Sequence, residues 1–318
     1  MINISIVLPV LNVESWIKKC LDSLINQNFI KDEYEIIVID NGSKDNTLKI
    51  IEEYKERITI LFAPTKGASI ARNMGINTAK GDIIAFIDGD CIADQNWIKE
   101  LYYKFEVDKF KEIGCVVGNV ISHRGKTVVE NFTEKSGILS QQNTLNSRFL
   151  PFGQTANVSF RKEVFEKIGK FDESIVVSGE DADLAWRMQL KTNYKLIFCL
   201  TSVVEHCHRT SFVGLFKQQF KYGTGIIYLS KKYGSNMFIN TNKNNTNKNI
   251  IVNLIKSLKL ILSVLNFYPK SIGRLFGFFD KYQMYEPLLS FINMSGYGLG
   301  KIYGSLKFKT SICSVLLI

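Results

Sequence analysis

The sequence is poor in the features that mark secreted and membrane-spanning proteins. Its six cysteines are scattered, without a Cys-x-x-Cys pair, so they do not form a disulfide framework and are typical of a reducing compartment. No uncharged apolar stretch reaches the roughly 18 residues that a transmembrane helix needs, and the first residues lack the basic segment of a signal peptide. We therefore expect a cytoplasmic protein without a standard membrane span.

The chain is basic but lacks a recognisable nucleic-acid module. Its 40 basic and 30 acidic residues give a net charge of +10, which favours an anionic partner such as a nucleotide, a nucleic acid or an acidic membrane. The basic residues are not interleaved with aromatic residues as in RNA- or DNA-binding modules. We expect no nucleic-acid partner, and a non-enzymatic nucleic-acid-binding protein stays as an alternative.

Strand and helix patterns alternate from the N-terminus onward. Residues 4–10, 34–40 and 58–63 are apolar runs of strand length, whereas residues 14–27, 45–57 and 68–79 have apolar residues at helical spacing. Such alternation predicts right-handed βαβ units and a parallel sheet. With 318 residues, of which 46% are hydrophobic, the chain can form one large α/β domain plus an appendage.

The most informative stretch ends at Asp90. Five apolar residues, Ile83–Ile87, lead into Asp88, Gly89 and Asp90, which predicts a buried strand with two carboxylates at its carboxyl end. Gly89 puts no side chain between them, so a phosphate-bound metal can approach the backbone. Hard divalent cations prefer oxygen ligands of this kind. Taken alone, the same residues also fit a solvated loop.

Other short motifs accompany this stretch in a fixed order. They are SIVLPVLN at 5–12, IVIDNGSKDNT at 37–47, KGASIARNMGI at 66–76, then Gly179-Glu180-Asp181 and His206-Cys207-His208. This series resembles the family 2 glycosyltransferases, which are inverting enzymes of GT-A fold. The resemblance covers roughly residues 3–230, and it rests on the whole series because each motif alone is common.

The resemblance implies a fold and a domain organisation. The fold is α/β: a GT-A, Rossmann-like, mostly parallel sheet flanked by helices, with a helical C-terminal appendage. The catalytic domain would cover residues 1–230, with a nucleotide-binding half at 1–90 and an acceptor half at 91–230. A polar linker at 231–249 and a basic, apolar tail at 250–318 would follow. Residues 122–152 have a loose pattern, and we expect a variable acceptor-side segment there.

The resemblance also implies a reaction. A sugar would pass from a nucleotide-diphosphate sugar, a UDP-sugar by first expectation, to a hydroxyl of a saccharide or lipid-linked acceptor in cell-surface polysaccharide or glycolipid synthesis. A nucleotidyltransferase is the enzymatic alternative, since it also uses an α/β sheet and metal-binding acids. Such enzymes usually begin with a Gly-rich, basic phosphate loop, which Pro9–Asn12 does not provide.

By resemblance, the donor-binding residues all lie in the first 90 residues. Asp40 and Asn41 would contact the nucleobase; many family members carry a second Asp in place of Asn41, but an amide still offers an acceptor. Arg72 would bridge to phosphate or pair with an Asp near the metal. Without the resemblance, residues 40–43 read as a turn and Arg72 as a surface residue. The donor-binding residues are Pro9, Asp40, Asn41, Lys66, Gly67, Arg72, Asp88 and Gly89.

The resemblance assigns the catalytic role to the acids at residues 180 and 181. Asp181 would be the general base, because inverting transfer needs a carboxylate within reach of the acceptor hydroxyl. Glu180 would bind or orient the acceptor. The residues alone also fit an ordinary acidic helix N-terminus.

The predicted metal ligands are Asp88, Asp90 and a late histidine. His206 is the first choice by resemblance. His208 is the second choice, because residues two apart can face the same side of a strand. A histidine among oxygen ligands favours Mn²⁺, and Mg²⁺ stays possible.

The C-terminal tail concentrates the excess positive charge. Residues 248–318 contain nine basic and two acidic residues, and residues 250–268 can form a basic helix with a broad apolar face. Such a helix suits a membrane surface, although packing on the catalytic domain is equally compatible. We expect a peripheral protein at the inner face of the cell membrane. Gly296, Gly300 and Gly304 recur every fourth residue, which allows close contact between helices.

Overall fold

The structure is a computed structural model that describes residues 1–125, 127–234, 265, 267, 269–275 and 277–310. Two compact units contain these residues. The first consists of Met1–His123, Leu139–Val176 and Glu180–Cys207; the second consists of the described parts of Arg124–Ile138, Val177–Gly179 and His208–Ile318. Residues 235–249 of the expected linker and most of the expected basic helix at 250–268 lie outside the described residues.

The first unit is built on one eight-stranded sheet with the order β3-β2-β1-β4-β7-β6-β8-β5. The strands are β1 (Ile4–Val10), β2 (Tyr34–Asp40), β3 (Thr59–Phe62), β4 (Ile83–Phe86), β5 (Cys91–Ala93), β6 (Ile113–Ser122), β7 (Val158–Arg161) and β8 (Lys195–His206). β3, β2, β1 and β4 are parallel. β7 is antiparallel to both β4 and β6, and β6 pairs in parallel with β8. β5 pairs antiparallel with β8 and is the last strand of the sheet.

Ten helices are described. They are α1 (Ile17–Ile25), α2 (Thr47–Glu52), α3 (Ala68–Thr78), α4 (Trp97–Glu106), α5 (Val128–Lys135), α6 (Gln141–Leu145), α7 (Lys162–Ile168), α8 (Glu180–Lys191), α9 (Phe212–Tyr233) and α10 (Lys281–Phe308). α5, α9 and α10 lie in the second unit and the others in the first. Each helix predicted in the first 90 residues is present; α3 begins at the predicted residue, and the other ends lie one to five residues further inward.

The core of the first unit lies on both faces of the sheet. Alternate residues of β1 point to opposite faces, so Ile6 and Leu8 pack with side chains of α1 and α4, whereas Val7 packs with side chains of α3, α7 and α8. A strand covered on both faces needs apolar residues at every position. This requirement explains the continuous apolar runs in the sequence, and the carboxylates Asp40 and Asp88 come where two of these runs end.

Residues 122–152, whose sequence pattern is loose, contain the two short helices α5 and α6. α5 begins with a capping box: the Thr127 hydroxyl accepts from the Glu130 N–H at 3.2 Å, and the Glu130 carboxylate accepts from the Thr127 N–H at 2.8 Å. Its apolar residues Val129 and Phe132 pack against Leu215 of α9 and Leu289 of α10. The capping signal is present in the sequence. The apolar partners that stabilise the short helix lie far along the chain, so the local pattern alone does not reveal it.

Close packing of α9 against α10 organises the second unit. The three glycines spaced by four residues lie against the backbone of α9, and a Cβ at Gly300 would stand 2.1 Å from the Phe220 carbonyl oxygen. The predicted close helix contact is therefore confirmed. Among the helices that the structure describes, none is both long enough and apolar enough to cross a membrane.

We expect Gly300→Ala to destabilise the second unit, because the added methyl group would force α9 and α10 apart. Overpacking of this kind typically costs about 1–3 kcal/mol of unfolding free energy. Gly298→Ala is the matched control in the same helix, since a Cβ there meets nothing within 4 Å; it should leave stability unchanged or raise it by up to about 1 kcal/mol. Thermal unfolding followed by circular dichroism measures both. Equal melting temperatures for the two variants would contradict this packing.

Candidate active site

The site forms where the parallel strands β1, β2 and β4 end at one edge of the sheet. Val10 of β1 lies beside Asp40 of β2, and the Asn41 N–H donates to the Val10 carbonyl oxygen at 2.9 Å. β4 ends at Phe86, two residues before Asp88. Because parallel strands bring their carboxyl ends to the same edge, the polar residues that follow each strand are collected there.

Asp40 and Asn41 shape the loops at this edge. The Asp40 carboxylate accepts from the N–H groups of Gly42 and Ser43 at 3.1 and 3.2 Å, and the Asn41 side-chain oxygen accepts from the Gly67 N–H at 3.1 Å. Gly42 has φ of +86°, and a Cβ there would lie 3.6 Å from Lys66. The structure thus brings Asp40, Asn41, Lys66 and Gly67 together and shows the turn that the residues alone suggested.

Arg72 connects two parts of the site that are far apart in sequence. Its guanidinium pairs with Glu180 at 2.8 Å, from Nη1 to Oε1, and with Asp88 at 3.2 Å, from Nη2 to Oδ1. The Arg72 side chain is only 6% exposed and lies over the Phe171 ring, 5.6 Å from its centroid. The expected pairing with an aspartate is present; the pairing with Glu180 was not expected and joins β4 to α8.

Burial is the largest influence on the pKa values of Asp88 and Asp181. It raises the pKa of Asp88, an effect that the Arg72 charge opposes. Burial and the adjacent Glu180 charge raise the pKa of Asp181 to about 7, although the Ala182 N–H and Arg72 both act to lower it. The Ala182 N–H donates to Asp181 Oδ1 at 2.8 Å. A carboxyl group that titrates near neutral pH is suited to accept and release a proton during catalysis.

A buried ion pair anchors the helix that carries these acids. Asp183, fully buried in α8, accepts from Arg187 Nε at 2.8 Å, and Arg187 also donates to the carbonyl oxygens of Ile168 and Lys170. Because these bonds tie the middle of α8 to the loop after α7, the helix start at Glu180 and Asp181 is held in place. Asp183 and Arg187 therefore support the position of the site residues that precede them in α8.

A second cluster lies where β5 pairs with β8. The donor atoms of Asp90, Cys91 and His206 all lie within 4.8 Å of one another, and among the described residues they form the group that could hold a metal ion. His206 Nε2 lies 3.4 Å from Asp90 Oδ1. Asp88 directs its carboxylate to Arg72, and His208 is not in this group. Reasoning from the sequence missed Cys91, because its position opposite His206 depends on the short strand β5.

We expect Arg72→Ala to lower the unfolding free energy by roughly 2–4 kcal/mol, somewhat below the value of about 3–5 for breaking fully buried pairs, because Asp88 and Glu180 keep some contact with water. Lys111→Ala is the control, since its ion pair with Glu163 is exposed and should contribute about 1 kcal/mol or less. Urea unfolding at pH 7 measures both variants. A loss for Arg72→Ala no larger than the control's would show that the pairs are not formed in solution.

Comparison with known proteins agrees with this geometry. The family model described as "Glycosyl transferase family 2" matches residues 5–169. The glycosyltransferase AglE of Haloferax volcanii is 30% identical over 231 residues, which are 70% of this chain and 73% of AglE. For four other relatives, the matched residues span between 14% and 52% of the relative's length.

Two solved structures show the same fold at low sequence identity. The mannosyltransferase PcManGT of Pyrobaculum calidifontis, in complex with GDP-Man and Mn²⁺, has a TM-score of 0.62 and 14% identity, over 95% of this chain and 87% of that one. TarS of Staphylococcus aureus, in complex with UDP-GlcNAc, has a TM-score of 0.50 and 14% identity, over 97% and 93% of the two chains. The fold is that of the GT-A enzymes, and the chain is a glycosyltransferase that belongs to family 2.

Proposed function

We propose that the protein is an inverting glycosyltransferase that moves a sugar from a nucleotide-diphosphate sugar to an acceptor hydroxyl, with Asp181 as the general base. The observation that carries this proposal is the raised pKa of Asp181 at the start of a helix that Arg72 joins to the strand end carrying Asp88. This arrangement puts a proton acceptor beside the edge of the sheet where α/β enzymes bind nucleotides.

The donor would lie along the ends of β1, β2 and β4. Asp40 and Asn41 form the loop where a base would bind, next to Pro9 of β1. Lys66 is exposed beside Gly42 and would offer a positive charge to a diphosphate. Solved relatives carry UDP-GlcNAc or GDP-Man, which supports a nucleotide sugar of either base. We propose a UDP-sugar, the donor expected by resemblance; Asn41 in place of a second Asp weakens this assignment but still offers an acceptor to a pyrimidine N–H.

A divalent cation fits the residues at the β5–β8 pair. Asp90 supplies an oxygen and His206 a nitrogen, 3.4 Å apart, a separation that two ligands of one ion can have. This donor set suits Mn²⁺ better than Mg²⁺, and PcManGT was solved with Mn²⁺. When bound, the ion would offset the negative charge of the departing diphosphate. Asp88, which is paired with Arg72, would be a further carboxylate near the ion.

The chain's own groups perform the proton transfer. Asp181 would accept the proton of the acceptor hydroxyl as that oxygen bonds to the anomeric carbon and the bond from that carbon to the diphosphate breaks. Glu180, fixed by Arg72 at 2.8 Å, would orient the acceptor. We propose a saccharide or lipid-linked acceptor; among the relatives, RfbN of Salmonella typhimurium is named an O-antigen chain rhamnosyltransferase.

We expect Asp181→Asn to keep donor binding and to lose transfer by about 10²- to 10⁴-fold, as for other general bases. In the wild type, kcat should rise with pH through about 7, because only the ionised carboxylate accepts a proton. The folded pKa lies above the ordinary value of 3.8, so stability should fall as pH rises between these two values. Asp181→Asn should remove that fall.

Nucleotide titration, kcat–pH profiles and melting temperatures at pH 4, 5.5 and 8 measure these effects. The exposed Asp82, at the other end of β4, provides the control variant Asp82→Asn, which should behave as wild type. If Asp181→Asn loses donor affinity but turns over bound donor normally, Asp181 is a binding residue and the base lies elsewhere.

We propose that the enzyme works at the cytoplasmic face of a membrane. Four exposed apolar residues of α10 recur at helical spacing and form one stripe: Leu299, Ile302, Tyr303 and Leu306. Lys307 and Lys309 follow the stripe at the end of α10, and the sequence after Glu286 contains no acidic residue. An apolar stripe with basic flanks suits an anionic lipid surface, which attracts each nearby basic residue by about 1 kcal/mol.

Full-length protein should bind vesicles that contain phosphatidylserine, and high salt should weaken this binding without abolishing it, because the apolar contact is not screened. Leu306→Asn should bind these vesicles more weakly than the wild type at the same salt concentration, because it removes part of the apolar contact. Val107→Asn, which changes an exposed apolar residue in the first unit, should leave binding unchanged. A protein that ignores such vesicles at low salt, measured by co-sedimentation, would contradict the membrane proposal.

A further inference from the structure

The pairing of β5 with β8 brings three different metal-binding groups together. Cys91 lies directly opposite His206 in the antiparallel register, and Asp90 precedes Cys91 in the chain. The carboxylate oxygen, the thiol sulfur and the ring nitrogen are all within 4.8 Å of one another. Cys91 is 0% exposed, His206 6% and Asp90 8%. A mixed O, N and S donor set is thus assembled inside the protein and not on its surface.

Backbone hydrogen bonds hold these residues in position. The Cys91 N–H donates to the Asp88 carbonyl oxygen at 3.1 Å, and the Cys207 N–H donates to the Asp90 carbonyl oxygen at 2.9 Å. The His123 N–H donates to the His206 carbonyl oxygen at 3.0 Å. Since the main chain fixes each member of the cluster, little reorganisation is needed before a cation binds.

We propose that Cys91 is a ligand of the metal centre and that its sulfur makes the centre prefer thiophilic divalent cations such as Co²⁺, Zn²⁺ and Cd²⁺ over Mg²⁺. This proposal rests on the proposed metal site at Asp90 and His206. Sulfur and imidazole ligands suit zinc-like ions, whereas Mg²⁺ prefers oxygen. As the sulfur–metal bond forms, the thiol proton leaves to solvent.

The position of Asp88 supports a role for Cys91. Two carboxylates separated by a glycine would give an all-oxygen pair typical of Mg²⁺ sites. Here, however, the Asp88 carboxylate is paired with Arg72 at 3.2 Å, and the group close enough to share an ion contains Cys91 in its place. Catalytic zinc sites with three protein ligands keep a further position for water or substrate. At the cluster of Asp90, Cys91 and His206, such a position would suit a phosphate oxygen.

The test measures metal binding by the full-length protein without donor. Wild-type protein titrated with Co²⁺ should show the near-ultraviolet absorption band of a cobalt–thiolate bond. Cys91→Ser should lose that band. Its affinity for Co²⁺ and Cd²⁺ should fall by at least about 10- to 100-fold, which is the loss of metal affinity that changes to residues behind the ligands typically cause. Its Mn²⁺ affinity should change much less. Cys91→Ala, which also lacks the sulfur, serves if the serine variant does not fold.

Cys20→Ser is the matched control. Cys20 is equally buried and its sulfur lies 3.8 Å from the Asp88 carbonyl oxygen, yet it is outside the cluster, so its loss should leave the band and the affinities unchanged. If the wild type binds Mn²⁺ in a manner that Asp90→Ala abolishes, but Co²⁺ shows no thiolate band, Cys91 is a core residue and the proposal fails while the metal site stands. If no divalent cation binds to the wild type, the metal site itself is wrong.

Discussion

The buried guanidinium of Arg72 is the interaction on which the site depends. One side chain on α3 pairs with Asp88 after β4 and with Glu180 at the start of α8. Without it, these two acids and Asp181 would stand partly buried with no cation beside them, where each charge is costly. The arginine therefore allows the site to keep a row of carboxylates, and it couples the edge that would bind the donor to the helix that carries the proposed base.

The same edge shows how a few side chains can carry both structure and chemistry. Asp40 and Asn41 accept backbone N–H groups of the loops around them, so the loop that would receive a nucleobase is itself built by the residues expected to contact it. Carboxylates and amides do both because they have several acceptor positions. A structural role for these residues is therefore no argument against binding, and each substitution there would change loop shape as well as recognition.

The second unit has a different basis. α9 and α10 approach closely because glycines at every fourth residue remove the side chains between them. Leu299, Ile302 and Leu306 of α10 stay exposed. α5, from a segment with little pattern of its own, contributes Val129 and Phe132 to the small core of this unit. Backbone proximity and one shared apolar cluster hold this unit together.

The sequence by itself determined the βαβ alternation of the first 90 residues, the strand end at Asp40 and the family, because apolar periodicity and short motifs are local signals. It placed the end of β4 two residues too late, at Asp88 instead of Phe86. The tertiary structure decided the rest. The helix at residues 128–135 forms through a local cap but is stabilised by Leu215 and Leu289, which lie far along the chain. Likewise, the pairing of Arg72 with Glu180 spans 108 residues, and Cys91 meets His206 only because a three-residue strand joins β8. Contacts between distant residues leave no period or spacing in the sequence, so only the folded chain shows which acid is paired and which groups could share a metal.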